Sequence, residues 1–119
     1  MHIEALREYC LSKPGTSEGL PFDEVTLVFK VMGKIFAITS LERQPPQVNL
    51  KADPERSIEL RETYDGRIIP GYHMNKKHWN TVCYNALPET LIRELIDHSY
   101  TLVAASLPAK LRKALSEQS

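Results

Sequence analysis

The stretch Glu24-Val25-Thr26-Leu27-Val28-Phe29-Lys30-Val31-Met32-Gly33-Lys34-Ile35-Phe36-Ala37-Ile38-Thr39 alternates in character twice around a two-residue break. In its first run Val25, Leu27, Phe29 and Val31 fall on one face, and Thr26, Val28 and Lys30 on the other. After Met32-Gly33 the alternation resumes, with Ile35, Ala37 and Thr39 opposed to Phe36 and Ile38. Strand side chains point to opposite faces with a period of two, and a short link containing glycine suits the tight turn between antiparallel partners. The stretch predicts a β-hairpin, with Lys30 and Lys34 near its tip.

Upstream, Ile3, Leu6, Tyr9 and Cys10 recur at helical spacing, with Glu4, Arg7 and Glu8 opposite, and predict an amphipathic helix. Lys13-Pro14-Gly15 stops it, and Thr16 to Pro21 reads as a polar connection. Downstream, a proline-bearing loop over Arg43 to Pro46 leads into a short strand over Gln47 to Lys51. Asp53-Pro54-Glu55 then starts a helix: Asp at the cap, Pro in the first turn, and Glu where the helix dipole favours an anion. Asp65-Gly66 ends it, and Trp79 to Tyr84 alternates as a further strand. Pro88 opens the longest helix, whose apolar stripe is Leu91, Ile92, Leu95, Ile96, Ser99, Leu102, Val103 and Ser106. The small Ser99 within it suggests close approach to the sheet. Pro108 restarts a last short helix over Lys110 to Leu115.

This order predicts an α+β fold in one domain over residues 1–119: an antiparallel sheet of about four or more strands with helices packed on one face. The other sheet face is left available for function. A chain of 119 residues with 42% hydrophobic and 25% charged residues has the composition of an ordinary globular domain. Fifteen basic and fifteen acidic residues cancel, which argues against tight, sequence-independent nucleic-acid binding but permits one basic face. The chain has no apolar run long enough to span a membrane, and the charged N-terminal helix is no signal peptide, so a cytoplasmic protein is expected. Cys10 and Cys83 suit buried free thiols better than a disulfide or a metal pair.

Chemistry concentrates in Pro70-Gly71-Tyr72-His73-Met74-Asn75-Lys76-Lys77-His78-Trp79-Asn80-Thr81-Val82, which holds the only Trp, two of the four His and a lysine pair. No Asp or Glu occurs from Gly66 to Pro88. Cations, amides, imidazoles and an indole in one run suit a phosphate backbone or an exposed base. The competing reading is a polar loop whose apolar ends, Met74 and Trp79, plug into the core. Catalytic signatures do not appear: the five glycines are scattered, and no serine sits in a nucleophile elbow. His73 and His78 are five apart and so do not share a helical face as zinc-binding pairs do. Neither an enzyme nor a metal or other cofactor is expected.

The residues resemble the YjbR/MmcQ family of small bacterial proteins. The resemblance is carried by Leu6-Arg7-Glu8-Tyr9-Cys10-Leu11, Pro21-Phe22-Asp23, the hairpin from Phe29 to Ala37, Asn49-Leu50-Lys51, the Pro70 to Val82 run, and Leu95-Ile96-Asp97-His98-Ser99-Tyr100. It implies a frataxin-like topology and a double-wing surface for DNA built on the sheet. On this chain that surface would take Lys30, Lys34, His73, Asn75, Lys76, Lys77, His78 and Asn80. The frataxin link also suggests iron, but the first helix has only Glu4 and Glu8 and no dense acidic ridge.

The functional expectation is a non-enzymatic, monomeric DNA-binding protein, with a transcription-related role. The alternative is a module for a protein partner or small ligand on the same fold. Trp79 is either a structural anchor or a stacking platform, and its phase opposite to Asn80 favours the anchor.

Overall fold

In the computed structural model, residues 1–71 and 74–118 are described. The elements are α1 (Ile3–Leu11), β1 (Thr16–Gly19), β2 (Thr26–Val31), β3 (Lys34–Ser40), β4 (Val48–Lys51), α2 (Pro54–Thr63), β5 (Ile68–Pro70), β6 (Trp79–Val82), α3 (Glu89–Ala105) and α4 (Ala109–Ser116). The fold is α+β, with one six-stranded sheet ordered β1-β2-β3-β4-β6-β5 and every pairing antiparallel.

The hairpin forms as its alternation predicts. Met32 and Gly33 both take positive φ, the conformation that turns two strands back without splaying them. One detail departs from simple alternation. The register slips between Phe29 and Lys30, so Phe29 faces Ala37 while Lys30 faces Ile35. The extra residue is Phe36, and this bulge turns both Phe36 and Ala37 into the core. Phe36 then packs edge-on against Tyr100, at 5.5 Å between ring centroids, instead of opposing Ala37.

Two strands are additions to the sequence reading. Thr16 to Gly19, read as a polar connection, is β1, and Ile68 to Pro70 is β5. Both are edge strands of four and three residues, imposed by pairing with β2 and β6. Pro70 is tolerated because β5 is an edge strand, where the missing N–H can fall on the side with no partner strand.

A single apolar cluster fills one side of the sheet. Leu27, Phe29, Val31, Phe36, Ala37, Val48, Leu50, Ile68 and Val82 meet Leu6 and Cys10 of α1, Leu60 of α2, Ile92, Leu95, Ile96 and Val103 of α3, and Leu115 of α4. All four helices therefore sit on that side. Burial of each large aliphatic contributes roughly 1.5–3 kcal/mol. Ser99 lets α3 approach closely: its hydroxyl donates to the Phe36 carbonyl at 2.6 Å and accepts the Lys51 amide at 2.9 Å. Tyr100, outside the apolar stripe read from the sequence, is half-buried, with its hydroxyl donating to the Pro14 carbonyl.

Candidate nucleic-acid interface on the helix-free face

Direct partners across an antiparallel ladder share a face, so the register assigns the surface left uncovered by helices. Val28 pairs with Ile38, Ile38 with Asn49, Asn49 with Thr81 and Thr81 with Ile69. These side chains oppose the core and form the middle row of the helix-free face. One step along the strands, Ser17 pairs with Lys30, Lys30 with Ile35 and Lys51 with Trp79. The second row therefore has two segments on the same face, Ser17, Lys30 and Ile35 across β1 to β3, and Lys51 and Trp79 across β4 and β6. At about 4.8 Å per strand, Lys30 and Lys51 stand roughly 10 Å apart at the backbone, with Trp79 one strand beyond.

The loop before β6 carries the lysine pair and is tightly fastened. Asn75 is a turn residue: its Oδ1 accepts the Lys77 amide at 3.0 Å, and its carbonyl accepts the amides of His78 at 3.2 Å and Trp79 at 2.9 Å. The Ala52 amide donates to the His78 carbonyl at 2.8 Å. From α2, Arg61 reaches the same loop, with Nε donating to Asn80 Oδ1 at 2.7 Å and Nη2 to the carbonyls of Trp79 (3.4 Å) and Lys76. Lys76 and Lys77 are left exposed on this fastened turn.

Several expected site residues land elsewhere. Asn80 is only 1% exposed and faces the helix side, where Arg61 holds it, so it is a buried structural amide rather than a ligand contact. Lys34 pairs with Val31 on the core side of the ladder, and its Nζ donates to Ser106 Oγ at 2.7 Å. It therefore points away from Lys30. The side chain of Asn75 is engaged by the turn. His78 is half-buried beside the row, and His73 lies outside the described residues. Trp79 is half-buried on the helix-free face and takes no part in the core cluster; the core role goes to its neighbours Asn80 and Val82.

Lys51 and Arg61 were not singled out from the sequence. The only signal for Lys51 is its phase with Asn49 on β4, which carries meaning only once the register is known. Among the described residues no carboxylate lies within salt-bridge distance of Lys30, Lys51, Lys76 or Lys77. Lys77 does share the lining of a groove with Asp53, Glu55 and Glu59, which moderates the positive field on that flank. His2 and His98 have local roles: His2 Nδ1 caps α1 by accepting the Ala5 amide, and His98 Nε2 accepts the Asp53 amide at 3.2 Å.

The YjbR family model matches residues 11–102, a span that holds the hairpin, Lys51, the lysine loop and most of α3. The chain belongs to the YjbR family. Among its relatives, YbdF of Escherichia coli O157:H7 is 40% identical over 111 residues, covering 92% of this chain and 90% of the relative. YjbR of Escherichia coli K12 is 35% identical over 116 residues, covering 97% of this chain and 98% of the relative. A crystal structure from Deinococcus radiodurans, of family-model domain DUF419, matches with TM-score 0.88 and 42% identity over 96% of this chain and 87% of that one. A Pseudomonas syringae protein matches with TM-score 0.73 and 29% identity, covering 87% of this chain and 99% of its own. The YjbR-family core thus includes the whole row from Lys30 to Trp79.

Proposed function

We propose that the chain is a non-enzymatic, cytoplasmic nucleic-acid-binding protein that engages DNA through the helix-free sheet face. The observation that carries this reading is the second row: Lys30 and Lys51 free of carboxylate partners, Trp79 at its end, and Lys76 and Lys77 on the adjoining fastened turn. Ammonium groups on a rigid frame suit phosphates, and a half-exposed indole suits a base. The double-wing surface implied by the family resemblance occupies the same sheet, with Lys51 added and Lys34 and Asn80 removed. Phosphate contact falls mainly to Lys30, Lys51 and Lys76, because Lys77 stands beside acidic groups.

A salt titration tests this. Affinity for a labelled oligonucleotide should fall as salt rises, and Lys76→Ala/Lys77→Ala should weaken binding similarly across sequences while flattening the salt slope. Unchanged affinity and slope in the folded double variant would remove the turn from the site.

A second reading, a protein-docking surface, is favoured by Leu20 and Phe22. They are 46% and 67% exposed on either side of Pro21, at the β1 end of the sheet. On that reading Phe22→Ala abolishes partner binding and the lysine substitutions leave it intact.

A further inference from the structure

Resting on the nucleic-acid reading above, we infer that the strand this face takes is single. The roughly 12 Å major groove of a duplex is read by a helix or a free two-stranded ribbon that enters it. Neither is available here. All four helices contribute to the apolar cluster on the opposite side of the sheet. The β2–β3 hairpin is flanked by β1 and β4, so it is not a free ribbon, and the lysine beside its turn, Lys34, is drawn back to Ser106 at the C-terminal cap of α3.

What the face does offer is a short track with an aromatic seat at one end and a hollow of mixed polarity at the other. At one end Trp79 is half-exposed beside its cross-strand partner Lys51. At the other, a shallow hollow of about 300 Å³ beside Lys30 is lined by Leu20, Pro21 and Val28 together with Ser17, Gly19 and Glu18, whose carboxylate is held by Arg7. Three strand spacings, about 14 Å, separate Trp79 from Lys30 at the backbone, with Lys51 between them and the hollow on the β1 side of Lys30. Bases in a duplex are stacked on one another and cannot occupy such seats. Bases of a single strand are free to stack on an aromatic ring while lysines follow the backbone. Neutral overall charge fits the same picture, since a short single strand presents fewer phosphates than a duplex of equal length.

Trp79 is the only tryptophan, so its fluorescence reports this site without labelling the protein. The experiment titrates the full chain with an oligothymidylate of about eight nucleotides, within the range of about 4–16 for single-strand sites. A mixed-sequence duplex of the same length is titrated at the same salt. Single strand binding at least tenfold tighter than duplex, with quenching of Trp79 that saturates together with binding, is the expected result. Trp79→Phe should keep most of the preference, and Trp79→Ala should lose it. Duplex binding as tight as or tighter than single strand, or single-strand binding that leaves the Trp79 emission unchanged, would overturn the single-strand inference while leaving nucleic-acid binding standing. Binding of neither would overturn both.

Discussion

Arg61 Nε, on α2, donates to Asn80 Oδ1, on β6, at 2.7 Å, and this pair joins the helix layer to the turn that carries Lys76 and Lys77. The same guanidinium reaches the carbonyls of Trp79 and Lys76 through Nη2. One side chain thus fixes both ends of the Lys76–Asn80 segment. Asn80 in turn is buried, and its Nδ2 has no partner among the described residues, so Arg61 is the contact that keeps this amide satisfied at all.

Arg61→Ala should therefore cost more than a surface arginine. Removing a charged donor from a buried amide costs roughly 2–3 kcal/mol. A urea melt measures this, and oligonucleotide affinity should fall in the same variant because the turn is no longer held. Arg61→Ala melting at the wild-type midpoint would show that the clamp does not fasten the turn.

Gly71 is required for space. A Cβ there would stand 2.9 Å from the Cβ and the carbonyl oxygen of Trp79, and the carbonyl belongs to the ladder, where Gly71 donates its amide at 2.8 Å. Gly71→Ala should destabilise by about 1–3 kcal/mol as the backbone yields, and should weaken ligand binding by displacing Trp79. Thermal denaturation of Gly71→Ala beside wild type checks it.

Ser99→Ala probes the α3–sheet contact. The hydroxyl is fully buried and bonds Phe36 and Lys51 at once, so its loss leaves a carbonyl and an amide unpaired, at about 1–3 kcal/mol. Since the Lys51 amide is one of the two, the variant should also blunt the contribution of Lys51 to binding. A chemical melt and a single-salt titration read the two effects separately.

Cys10 gives a pH dependence of defined sign. Burial raises its thiol from the ordinary 9.0 to about 12. The folded state thus keeps the proton that the unfolded chain loses. The stabilisation is complete below pH 9 and disappears as pH rises from 9 towards 12, on the order of 1 kcal/mol per pH unit. Burial also raises Tyr84 and Tyr100, and burial with its hydrogen bond to Asp97 raises Tyr9 to about 12, so the comparison needed is wild type against Cys10→Ala across that range. The difference in stability between them should narrow with rising pH, and a constant difference would contradict the assignment.

How far the sequence could be read depended on whether an element carries its own signal. The hairpin and α3 bury long periodic stripes, and α2 has Asp53-Pro54 at its start, so these are legible residue by residue. Thr16-Ser17-Glu18-Gly19 has no apolar alternation; β2 recruits it, helped by Arg7 of α1, whose Nε donates to Glu18 at 3.0 Å. Ile68-Ile69-Pro70 is too short to show a period. The site follows the same logic. Lysines in a run without acidic residues are visible, but the face each lysine of the sheet occupies depends on register, which separates Lys30 from Lys34 and brings Lys51 beside Trp79. Asn80 reads as polar surface because its partner, Arg61, lies 19 residues away.

A phosphate track along the helix-free face fixes the salt slope of single-strand binding. Lys30, Lys51 and Lys76 as the three principal contacts predict a slope of log Kobs against log salt near −2, at about −0.7 per phosphate. Lys30→Ala/Lys51→Ala should bring it to roughly −0.7, while Lys34→Ala, on the opposite face, leaves it unchanged. A wild-type slope retained in the folded Lys30→Ala/Lys51→Ala variant, or lost in Lys34→Ala, would show that phosphates do not follow this face.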